Sequence, residues 1–88
     1  MSAYAICFRV ADPTRKAQLV QRIKSFGPWM SYFDGVWLID APYSLQALEA
    51  DLSARINTTD SLLILGINPQ VSGGWLPQEA WDWLNERG

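Results

Sequence analysis

Two sets of side chains in these 88 residues are equipped for chemistry. One is a trio of aspartates, Asp12, Asp40 and Asp60. The other is a run of basic residues, Arg9, Arg15, Lys16, Arg22 and Lys24, with no acid between positions 13 and 33. Carboxylates brought together hold a hard divalent ion such as Mg²⁺, which metal-dependent phosphodiester cleavage requires. Basic residues gathered on one segment neutralise backbone phosphates or meet an acidic partner. The chain has no histidine, which excludes Ser-His-Asp and Cys-His nucleophile systems and His-ligated zinc. The single cysteine, Cys7, makes neither an internal disulfide nor a four-thiolate metal site and fits a reducing, cytoplasmic compartment. There is no P-loop and no GxGxxG; the pair Gly73-Gly74 precedes Trp75 instead.

These side chains need elements to position them. The length implies one domain, and 49% hydrophobic against 18% charged residues argues against disorder. The start, MSAYAICFRV, lacks a basic region followed by a long apolar run, so neither a signal peptide nor a membrane span is expected. Charge is segregated. Residues 1–33 hold five basic residues against one acid, a net charge of +4, and residues 34–88 hold two against eight, a net charge of −6. The overall −2 is mild evidence against non-specific nucleic-acid binding, while the basic segment keeps such binding open.

Along the chain, residues 3–10 alternate, with Tyr4, Ile6, Phe8 and Val10 on one face and Ala5, Cys7 and Arg9 on the other, as in a strand. Asp12-Pro13 reads as an N-cap and first helical residue, opening a helix over about 13–26 whose buried stripe is Leu19, Val20, Ile23 and Phe26. Gly27-Pro28 stops it. Residues 29–33 and 36–40 form a hairpin around Asp34-Gly35, a pair suited to a type I′ turn. Pro42 and Ser44 lead into a second helix, about 45–56, with Leu45, Leu48, Leu52 and Ile56 on one side. After the polar loop 57–60, SLLILGI (61–67) is a fourth strand, apolar on both faces. Val71 is expected in a short extended piece, and Trp75-Leu76-Pro77 opens a last helix over about 77–86.

The order βαββαβ predicts an α+β, ferredoxin-like split βαβ sandwich. Its antiparallel sheet has the order 4-1-3-2, both helices lie on one face, and a short C-terminal helix follows. Residues 1–68 are the core; residues 69–88 are a tail and helix that pack on the core or across a dimer. Strand four is then an edge, and an apolar edge needs covering. Leu63, Leu65, Trp75 and Trp83 are therefore the expected interface residues, either of a homodimer or of the docked tail. Trp83 is expected away from the core, because Trp81 faces inward and Trp83 is rotated about 200° from it.

Three stretches, GPWMSYFDGVWLI (27–39), INTTDSLLIL (56–65) and GWLPQEAWDWL (74–84), resemble the SinR family, proteins related to the small CRISPR-associated adaptation nuclease (protein two of that system). Trp29, Tyr32, Trp37, Asp60, Ser61 and Leu62 fall where that group has similar residues. The resemblance implies a ferredoxin-like fold, often a dimer, with a nucleic-acid link. It also implies, in the nuclease relatives, a Tyr-Asp pair near the end of strand one whose aspartate holds a divalent metal at the dimer interface. Here that position reads Phe8-Arg9, and a guanidinium repels a cation.

The sequence therefore points to a small, non-catalytic, homodimeric module without a cofactor. It would bind nucleic acid through Arg9, Arg15, Lys16, Arg22 and Lys24, or bind a protein partner. One alternative is a Mg²⁺-dependent endonuclease with a rearranged site drawn from Asp12, Asp40 and Asp60. Another is a toxin–antitoxin-type or regulatory protein-interaction module. The five tryptophans fill a small core, anchor an interface or stack on bases.

Overall fold

A computed structural model describes residues 2–68, 73–75 and 77–87, apart from the side chains of Tyr32 and Arg87. Its elements are β1 (Ser2–Arg9), α1 (Pro13–Lys24), β2 (Trp29–Phe33), β3 (Val36–Ala41), α2 (Leu45–Ser53), β4 (Ser61–Gly66) and α3 (Gln78–Arg87). The antiparallel sheet runs β2-β3-β1-β4, the order expected for a ferredoxin-like sandwich. Val71 and Leu76 lie outside the described residues.

The helices begin where their caps dictate. The Asp12 carboxylate accepts from the Arg15 backbone N–H at 2.8 Å, with Pro13 following it, and the Ser44 hydroxyl accepts from Ala47 N–H at 3.1 Å. Both helices end earlier than their apolar periodicity predicts, at Lys24 and Ser53. Phe26 and Ile56 still reach the core from the turns that follow, because the last carbonyls are met by short-range bonds such as Phe26 N–H to Ile23 O. Gly27 fits where it does because a Cβ there would collide with the carbonyl oxygen of Asp40.

The hairpin turn differs from expectation. Gly35 has φ +75° but no described non-glycine residue has positive φ, so Asp34-Gly35 is not a type I′ turn, which needs both residues there. Strand register explains the difference. Phe33 pairs with Val36 but Met30 with Leu38, so β2 carries one extra residue between them. That bulge, not the turn alone, supplies the twist. The Ser31 hydroxyl braces it, donating to Val36 O at 2.9 Å.

The register places Tyr4, Ile6, Ile39 and Ala41 on one sheet face, where Leu19, Ile23, Leu48 and Leu52 from α1 and α2 bury them. Ala3, Cys7, Arg9, Val36 and Leu63 share the other face. There α3 packs on β1, and Ala3, Ala80 and Leu84 are buried. This covers the Ala3 end of the open face and leaves the Arg9 end uncovered. No helix among the described residues is long and apolar enough to cross a membrane.

Candidate anion-binding pocket

The basic residues of α1 meet acids that lie far along the chain. Arg15 forks onto Asp60, with Nε to Oδ2 at 2.7 Å and Nη2 to Oδ1 at 3.1 Å. Asp60 also accepts from the Asn57 backbone N–H at 2.8 Å, and its side chain is only 2% exposed. Arg22 forks onto Asp51 in the same way at 3.0 and 2.6 Å, and Arg55 adds a third bond to Asp51 at 3.0 Å. Lys16 reaches Asp34 at 3.3 Å. Lys24 lies 4.7 and 5.2 Å from the ring centroids of Trp29 and Trp37, a cation–π contact with two aromatic rings.

These pairings set the ionisation. Hydrogen bonds from Arg22, then Arg55, hold the Asp51 carboxyl down at about 2, against the ordinary 3.8. Hydrogen bonds from Arg15 and from Asn57 N–H lower Asp60 in the same way. Arg15 and Arg22 are raised in turn, chiefly by those bonds. Three of the five basic residues of segment 1–33 thus pair with acids of the second half. Arg15 and Arg22 clamp α1 to Asp60 and Asp51.

Arg9 differs from them. It is exposed, and among the described residues it makes no ion pair. It lines an open pocket of about 570 Å³ at the uncovered end of the sheet, together with Cys7, Lys16, Val36, Ser61 and Leu63. The pocket joins two cationic side chains, Arg9 and Lys16, to Cys7, Val36 and Leu63. Asp34, 93% exposed, tempers their charge. Strand pairing fixes the parts, since Arg9 stands opposite Ser61, and Cys7 opposite Leu63.

The three candidate metal ligands do not converge. Asp12 caps α1, Asp60 is locked to Arg15, and Asp40 is buried on the α3 side of the sheet. Among the described residues no three His, Cys, Asp or Glu side chains cluster where an ion could sit. Of the expected interface residues, Leu63 is 55% and Leu65 48% exposed, and Trp75 is 99% exposed. Trp83 is half-buried, has a partner in the fold and lies outside the buried core. Ala80 and Leu84 take the innermost positions of α3, and the rings on either side of them share partial cover.

Sequence reasoning missed the Arg15–Asp60 and Arg22–Asp51 forks. The signal was present in the opposite signs of the two halves, which only the fold brings together.

Comparison with known proteins finds no matching family model and no matching curated protein. A solved structure described as a hypothetical protein, TT1823, from Thermus thermophilus is similar to this chain. It has 25% sequence identity and a TM-score of 0.60, and the match covers 85% of this chain and 92% of that one.

Proposed function

We propose that the chain is a non-catalytic, homodimeric binding module that takes a phosphate-bearing partner, nucleic acid by preference, at the Arg9–Lys16 pocket. One observation carries this reading: Arg9 is left without an acid while Arg15 and Arg22 are clamped to aspartates. An unpaired guanidinium beside an ammonium is a ready receptor for a phosphate fork. The resemblance to the SinR and CRISPR-adaptation group supports the nucleic-acid class. The separation of Asp12, Asp40 and Asp60 weighs against the endonuclease alternative. The lone thiol of Cys7 is compatible with a cytoplasmic setting. A protein-binding reading draws on the exposed Trp75 and on Phe33, which is more than half exposed.

The test is fluorescence anisotropy with single- and double-stranded RNA and DNA, with Mg²⁺ and with chelator, at two salt concentrations. With about two phosphate contacts, affinity should fall with a log–log salt slope of about −1.5 to −2. Arg9→Ala should weaken binding about tenfold, the loss expected for one charged phosphate contact. Salt-independent binding, or an Arg9→Ala protein that binds normally, overturns the reading. Mg²⁺-dependent cleavage lost in Asp12→Ala, Asp40→Ala or Asp60→Ala establishes the nuclease instead.

A further inference from the structure

The two edges of the sheet are built differently. β2, at one end, is interrupted by its bulge, a device that blunts edge pairing. β4, at the other, is regular. Its hydrogen-bonding phase follows from two observations. Ile67 N–H donates to Ala3 O, and the register continues through Ala5↔Leu65, Cys7↔Leu63 and Arg9↔Ser61. In an antiparallel ladder these alternate residues turn their N–H and C=O groups toward β1. Leu62, Ile64 and Gly66 therefore turn theirs outward, and no strand among the described residues meets them.

We infer that this edge pairs with the same edge of a second copy, antiparallel, about a two-fold axis through Ile64. The inference rests on the homodimer proposed above and gives it a register. A two-fold at Ile64 sets Ile64 against Ile64 of the second copy and Leu62 against Gly66, so every outward backbone group finds its complement. The same operation sets Leu63 opposite Leu65 of the second copy. These two half-exposed leucines become cross-strand neighbours, with Cβ atoms about 4.5–5.5 Å apart. Gly66 contributes space, since nothing lies within 4 Å of where its Cβ would be, and Leu62 of the second copy can pass over it. A groove of about 320 Å³ between α2 and β4, lined by Leu45, Ile56, Leu62 and Ile64, borders the seam on the helical side.

A second copy fits better than an unrelated peptide because the symmetry of the edge is internal. Its outward groups and its exposed leucines are both centred on one residue. Shifting the axis to Leu63 or Leu65 would keep only two of the three outward residues paired, leaving Gly66 or Leu62 opposite residues beyond β4. The paired sheet also carries both Arg9 pockets on one face, about 20 Å apart along the strands and about 14 Å across them.

The experiment is sedimentation equilibrium of the full chain from low micromolar to near-millimolar concentration, with a cross-linking arm in a Cys7→Ser background. The expected result is a reversible dimer that Leu63→Lys with Leu65→Lys converts to monomer at every concentration, without loss of the circular-dichroism spectrum. Leu63→Cys and Leu65→Cys chains, oxidised together, should give a covalent heterodimer, and each alone should not. Covalent homodimers from Leu63→Cys alone, or a dimer unmoved by the lysines, overturn this register and leave the homodimer standing. A monomer throughout overturns both.

Discussion

Asp51 accepts from two arginines at once, and Asp60 from one arginine and a backbone N–H; these side chains decide how the charges of the molecule behave. The folded Asp51 carboxyl titrates at about 2, below the ordinary 3.8. Its pairing therefore stabilises the fold fully above about pH 4 and is lost as the pH falls toward 2. Asp51→Asn should lower the stability by about 1 kcal/mol at pH 7, the scale of a partly exposed ion pair, and by almost nothing near pH 2. Urea denaturation at the two pH values checks this. An equal loss at both would mean that Asp51 acts through packing and not through charge. Arg9, without such a partner, has no comparable effect on folding to conceal a binding role.

At the level of elements, much is legible in the sequence, and the departures have physical causes. Alternation in residues 3–10, the Asp12-Pro13 start and the leucine spacing of the second helix each specify their element from local sequence, and strand order follows from connection rules. The helices end before the apolar period does because Phe26 and Ile56 continue that period while packing from turns. The turn at Asp34-Gly35 escapes local reading because an Asp-Gly pair cannot reveal a bulge upstream in β2, which is set by pairing with β3. Of the candidate site, Arg9 is legible because alternation sets it, with Ala5 and Cys7, on the face opposite the apolar one. The engagement of Arg15 and Arg22 is not, since it depends on contacts 45 and 29 residues away. Gly35 joins the turn to the pocket. It has φ +75°, and a Cβ would lie 2.8 Å from Phe8 O, whose own N–H bonds Gly35 O at 2.9 Å. Gly35→Ala should therefore cost about 1–3 kcal/mol in a denaturant titration. A neutral result would mean that the turn relaxes into another conformation.

Across the whole molecule the segregation of charge acts as an intramolecular fastening. The net +4 of residues 1–33 and the −6 of residues 34–88 face each other where α1 lies against Asp51, Asp60 and Asp34. Attraction between the halves competes with the weak self-repulsion of a chain whose net charge is only −2. Salt screens exposed pairs over about 8–10 Å and acts less on a side chain as enclosed as Asp60. Raising NaCl from low to near-molar concentration should thus lower the melting temperature by a few degrees, through the Arg22–Asp51–Arg55 and Lys16–Asp34 pairs. Replacing Arg22 with Gln and Asp51 with Asn together should remove most of that dependence, because the double change deletes the pair and leaves the net charge unaltered. Differential scanning calorimetry on both proteins reads the outcome. If salt raises the melting temperature of the parent chain, repulsion within its acidic half outweighs the fastening, and the α1 clamps are geometric rather than electrostatic. If salt lowers it equally in both proteins, the attraction resides in the pairs the double change leaves intact, Lys16–Asp34 and the Arg15–Asp60 fork. That fork ties the basic helix to the start of β4, next to the edge proposed for self-association.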